Sequence, residues 1–137
     1  MSRIKTHAAY PGSEAKTITT ALTTVDSSTV DLFVVPLTAS FKYVFMITVV
    51  YVGIDVTDTS GFVIRTTHAW RDGAGDADQE GGVVVSSFGR VAGVTGSAQT
   101  VSVAVTGTNF RVTVDGRNDT DINWIGKLEY VAVNTAS

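Results

Sequence analysis

Along residues 99–133 apolar and polar positions alternate with little interruption. Val101, Val103 and Val105 alternate with Thr100, Ser102, Ala104 and Thr106, and Phe110, Val112 and Val114 alternate with Asn109, Arg111, Thr113 and Asp115. A period of two sets each apolar series on one face of an extended strand. Gly107, Thr108 and Asn109 separate the runs. Glycine and asparagine tolerate the positive φ of a short hairpin loop, so a β-hairpin with one apolar face is expected. A second turn-forming cluster, Asp115 to Asp119, follows. Alternation then resumes from Ile122 to Val133, with Trp124, Leu128 and Tyr130 on one side and Lys127 and Glu129 on the other. The pattern predicts three successive antiparallel strands with no helical period between them.

The same period recurs upstream. Thr17 to Val25 is a weakly apolar strand carrying Ile18 and Leu22, and Asp26-Ser27-Ser28 turns the chain. In Val30 to Leu37 the alternation sets Leu32 and Val34 against Phe33 and Val35. Pro36 has no N–H for a ladder, which places it at a strand end or a sheet edge. Lys42 to Val52, Phe62 to Arg71 and Gly81 to Ala92 complete a series of eight strands, with Gly93 to Ala98 as a connector. Strands at this spacing, without an internal repeat, predict an all-β antiparallel sandwich, jelly-roll-like in character. The domain is expected over residues 15–137, after a polar arm over residues 1–14 that Pro11-Gly12 keeps irregular.

Two segments depart from the one-sided pattern. Lys42 to Val52 is apolar on both faces, because Tyr43, Phe45, Ile47, Val49 and Tyr51 alternate with Val44, Met46, Val50 and Val52. One face of such a strand meets the core of a small sandwich, and the other needs a cover to avoid aggregation. We assign subunit contact to Tyr43, Phe45, Ile47, Val49 and Tyr51. Ile4 and Tyr10 of the arm join them, because an arm of this kind is mobile unless it is tied down. Phe62 to Arg71 sets Phe62, Ile64, His68 and Trp70 against Arg65 and Arg71. The two arginines are read either as contacts to a negative partner surface or as a solvated outer face.

The hairpin TVSVAVTGTNFRVTV followed by INWIGKLEYV resembles a β-domain of bacteriophage virion proteins, often found near the end of tail fibres. The likeness is closest over Thr100 to Tyr130, and its motifs are structural rather than catalytic. It implies a small virion β-sandwich made in the host cytoplasm. With the doubly apolar strand and the polar arm, the expected role is a non-enzymatic decoration or cement protein. It would form a homotrimer and bind the major capsid protein or other virion proteins. The alternative is a tail or tail-fibre module that binds a host surface receptor. Candidate recognition residues for that role are Trp70, Asp72, Asp76 and Asp78, around the acidic loop DGAGDADQEGG.

Composition narrows the chemistry. With 137 residues and a net charge of −3, one domain is expected and no positive field marks a nucleic-acid partner. There are no cysteines, so neither disulfides nor thiolate metal sites support the fold. No apolar signal core follows Met1, and the run Tyr43 to Val52 is too short to span a bilayer as a helix, so no membrane partner is expected. Asp72, Asp76, Asp78 and Glu80 are spaced as a hard cation requires. The twelfth position counted from Asp76 is Ser87, however, not the bidentate glutamate of an EF-hand, and no metal is assigned. His7 and His68 are the only histidines, and no nucleophile elbow, His-Glu-x-x-His pair or phosphate loop is present. No catalytic residue and no cofactor is assigned.

Overall fold

The computed structural model describes residues 12–54, 60–71, 77–78, 84–88, 100–118 and 120–135. Within them the chain forms β1 (Glu14–Thr24), β2 (Thr29–Pro36), β3 (Phe41–Gly53), β4 (Ser60–Arg71), β5 (Ala77–Asp78), β6 (Val84–Phe88), β7 (Thr100–Thr106), β8 (Asn109–Asp115) and β9 (Ile122–Asn134). Each of the eight expected segments carries a strand, and the two-residue β5 is additional. Only residues 84–88 of the expected Gly81 to Ala92 strand lie on a described element. The expected connector Gly93 to Ala98 falls outside the described residues.

The strands make an antiparallel β-sandwich. The larger sheet runs β1-β9-β3-β4-β5, with β6 also paired to β4, and the smaller sheet runs β2-β8-β7. The steps β1 to β2, β2 to β3 and β8 to β9 cross between sheets, whereas β3-β4 and β7-β8 are hairpins within one sheet. The β7-β8 turn is a two-residue loop closed by the Thr106–Asn109 pair, with Gly107 at a φ of 59°. A glycine at the first turn position with positive φ matches the backbone twist of the flanking strands. Asn109, expected in the loop, is instead the first residue of β8.

The core lies between the sheets. Period two turns Tyr43, Phe45, Ile47, Val49 and Tyr51 of β3 inward beside Ile122, Trp124, Leu128 and Tyr130 of β9. Phe110, Val112 and Val114 of β8 meet them from the other sheet. Phe45 and Phe110 form the central contact, stacked with ring centroids 3.8 Å apart and both fully buried. At one end Trp124 packs on Tyr51 at 5.0 Å and donates its indole N–H to the Thr24 hydroxyl at 2.9 Å, which satisfies the buried donor.

β2 breaks its own alternation. The register against β8 shifts between Asp31 and Phe33, a β-bulge that inserts Leu32. The expected split of Leu32 with Val34 against Phe33 with Val35 is therefore corrected. Leu32, Phe33 and Val35 are all buried, and Val34 is exposed. Room for the two successive large side chains comes from Gly126 on β9. A Cβ there would lie 2.7 Å from Leu32 Cδ2 and 2.9 Å from Phe33 Cε2. Pro36 ends the edge strand β2, as its missing N–H requires.

Two sets of hydrogen bonds tie down the periphery. The residue 37–40 connection is held by the Arg71 guanidinium, which donates from Nη1 to the Leu37 carbonyl at 2.8 Å. It is held also by the Ser40 N–H on the Arg71 carbonyl at 2.7 Å. The start of β1 is held by the Tyr130 hydroxyl, which donates to Glu14 Oε1 at 2.9 Å.

Burial first, then the hydrogen bond to Glu14 and its charge, raise the Tyr130 phenol to about 12. The unfolded phenol ionises near its usual value of about 10. Stability from this group is thus complete below about pH 10 and is lost as pH rises toward about 12. Thermal unfolding followed across that interval is expected to show this loss, and Tyr130→Phe is expected to reduce it. An unchanged alkaline profile in the variant would count against the assignment.

Candidate interaction face

The two outer faces of the sandwich differ in chemistry. On the smaller sheet the outward residues of β8 are Asn109, Arg111, Thr113 and Asp115, flanked by Thr100, Ser102 and Thr106 of β7. Three of them bind neighbours on β2 and β7: Arg111 pairs with Asp31 of β2 at 2.6 Å, Thr113 donates to Asp31 at 3.0 Å, and Asp115 accepts from Thr29 of β2 and Thr100 of β7. This is a mainly polar face, on which Val34 of β2 is an exposed apolar residue.

The larger sheet turns apolar residues outward. Val44, Met46, Val50 and Val52 of β3 and Ile125, Val131 and Val133 of β9 stand 43–55% exposed. The registers align them in rows across the sheet. Ala15, Val131, Val44 and His68 form one row, and Ala21, Ile125, Val50 and Phe62 form another. Between these rows lie Lys127 and Glu129, paired at 3.1 Å. Two open grooves mark the face, one along Leu22, Val50, Val52 and Ile125, the other along Lys16, Val44, Met46 and Val131. An apolar patch of this kind marks a contact site more often than an idle surface.

The subunit contact expected of Tyr43, Phe45, Ile47, Val49 and Tyr51 is corrected, because their side chains are not exposed. They are buried in the chain's own core, and the opposite series, Val44, Met46, Val50 and Val52, is the exposed one. Arg65 and Arg71 are corrected with them. Their register partners Ile47 and Phe41 are inward residues, so both arginines sit on the core-facing side of β4 rather than on a solvated outer face. Burial lowers the Arg65 pKa, and its Nε is buried without a hydrogen-bond partner among the described residues. Arg71 is occupied by the Leu37 carbonyl.

Trp70 does lie on the outer side, at the end of the face. Lys42 Nζ stands 4.7 Å from its ring centroid, a cation–π contact that occupies part of the ring surface a ligand would stack on. Its indole N–H is buried without a partner among the described residues. Asp78 pairs with Trp70 through the backbone of β5. Ile4, Tyr10, Asp72 and Asp76 lie outside the described residues. Among the described residues no group of three His, Asp or Glu side chains is placed to hold a metal ion.

Fold and surface together define a class: an antiparallel β-sandwich with one mainly polar outer face and one apolar outer face. Compared with known proteins, the chain matches no family model and no curated sequence.

Proposed function

We propose that this chain is a non-enzymatic virion structural protein, a capsid decoration subunit that works by burying the outer face of its larger sheet in an assembly. The observation that carries this reading is the exposed series on β3 and β9, from Val44 to Val52 and from Ile125 to Val133, on a sandwich whose own core is already complete. Burying apolar area strengthens a shell through the same hydrophobic gain that holds the domain together. The virion setting rests on the resemblance of the 100–130 segment to phage β-domains. A tail-fibre receptor-binding role is the second reading. It rests on Trp70, a half-buried aromatic on the outer side at the end of the apolar face, although Lys42 covers part of its ring.

High-resolution imaging of purified particles, with symmetry relaxed, tests the two readings. Many copies over the shell are expected, and Val131→Asp is expected to lower their occupancy at least about tenfold, since a buried unpaired carboxylate opposes assembly. A few copies confined to the tail would overturn the decoration reading and turn attention to Trp70.

A further inference from the structure

We propose that the occupant of the apolar face is a second copy of the same chain. The two larger sheets would pack back to back about a two-fold axis that crosses the strands between Lys127 and Glu129. This rests on the reading of that face as the assembly surface, and goes beyond it by naming the partner.

The pattern along β9 carries the inference. Its outward residues in order are Asn123, Ile125, Lys127, Glu129, Val131 and Val133. Reversed about the midpoint between Lys127 and Glu129, the four central positions map isoleucine onto valine and lysine onto glutamate, while at the ends Asn123 falls on Val133. An in-plane two-fold axis at the level of Leu128 performs that reversal, placing β9 antiparallel over its copy. Ile125 then faces Val131 of the second copy, and Lys127 faces its Glu129. The four charges form a square of alternating sign, so the pair that interrupts the apolar face is neutralised rather than stranded.

On the neighbouring strands the two apolar rows obey the same reversal, although on β3 Met46 falls on Thr48 and Val52 on Lys42. On β3, Val50 falls on Val44 of the second copy, because Val50 shares a row with Ile125 and Val44 shares one with Val131. On β1, Ala21 and Ala15 exchange in the same way. Small residues on this edge strand let the two sheets close to the about 10 Å spacing of face-packed sheets. A two-fold contact uses one patch twice, so only a patch complementary to its own reversal can form it.

The extent of the face is also adequate. Four strands at about 4.8 Å and roughly eleven residues at about 3.4 Å outline about 700 Å² per copy. Two such faces bury about 1,400 Å², within the range of stable specific interfaces. The polar outer faces of the two smaller sheets then both point away from the contact, which leaves the pair solvated on each side.

Sedimentation equilibrium of the full chain, with charge variants, tests this. The wild type is expected as a dimer at micromolar concentration. Lys127→Glu alone and Glu129→Lys alone each place like charges across the axis, and each is expected to raise the dimer dissociation constant at least about tenfold. Mixed in equal amounts, the two variants are expected to associate with near wild-type affinity, because each then supplies the charge the other lacks. Ile125→Asp is expected to give a monomer with an unchanged circular dichroism spectrum.

A monomeric or trimeric wild type would overturn the inference. So would a dimer indifferent to all of these changes, or variants that stay apart when mixed. A monomer whose particle occupancy still falls with Val131→Asp would remove the second copy as occupant and leave the assembly face standing. A dimer absent from particles would do the reverse.

Discussion

Phe110→Ala is expected to remove about 3–5 kcal/mol of unfolding free energy, the largest loss from any single truncation proposed for this fold. Phe110 and Phe45 come from different sheets, are fully buried, and stack at 3.8 Å. Truncating either ring removes its transfer free energy and leaves a cavity between two ladders. Neither sheet can fill it without breaking backbone hydrogen bonds. Domains of this kind hold only about 5–15 kcal/mol in total, so the loss is a large share of the whole. Urea unfolding gives the magnitude, and a double-mutant cycle with Phe45→Ala separates ring–ring coupling of about 0.5–1.5 kcal/mol from burial. A loss below about 1 kcal/mol would mean that the sheets close the gap, and that the stack is not the centre of the core.

Gly126→Ala is the second, expected to cost about 1–3 kcal/mol by overpacking. The added methyl would sit 2.7 Å from Leu32 Cδ2 and 2.9 Å from Phe33 Cε2, closer than carbon atoms approach without displacement. In a strand interior, glycine to alanine ordinarily gains stability through reduced chain entropy. The sign of the change therefore discriminates. Relief should come from Leu32→Val, which shortens the side chain in the way. The pair of substitutions is expected to be less destabilising than the sum of the singles. A stabilised Gly126→Ala would show that the bulge does not need the space.

The strands were legible wherever one face is apolar and the other polar. In β7, β8 and β9 alternation identified both the element and the buried side, with Trp124, Leu128 and Tyr130 inward and Lys127 and Glu129 outward. In β3 alternation identified the strand but not the side, because both series are apolar. Side-chain volume was the available signal: Tyr43, Phe45 and Tyr51 fill a core as the Val44, Val50 and Val52 series does not. On β4 the charge of Arg65 and Arg71 points to an outward side in the same way. Register places them beside Ile47 and Phe41, and Arg71 donates to the Leu37 carbonyl. The bulge at Leu32 has no local signature. It depends on Gly126, 94 positions along the chain, and on the order of strands in the sheets, which periodicity does not encode.

β9 lies between β1 and β3 in the larger sheet, and of the three it is the last to be synthesised. Glu14 and Tyr130, joined by a hydrogen bond in the folded protein, are 116 residues apart. At about 5–20 residues per second, roughly 6–23 s pass between their appearance on the ribosome. Throughout that interval β1 has no ladder partner, and β3 lacks the neighbour that supplies half of its backbone hydrogen bonds. Closure of the sheet is therefore a late event in the life of the nascent chain. Until it happens, β3, apolar on both sides, is the segment that a chaperone has most reason to hold.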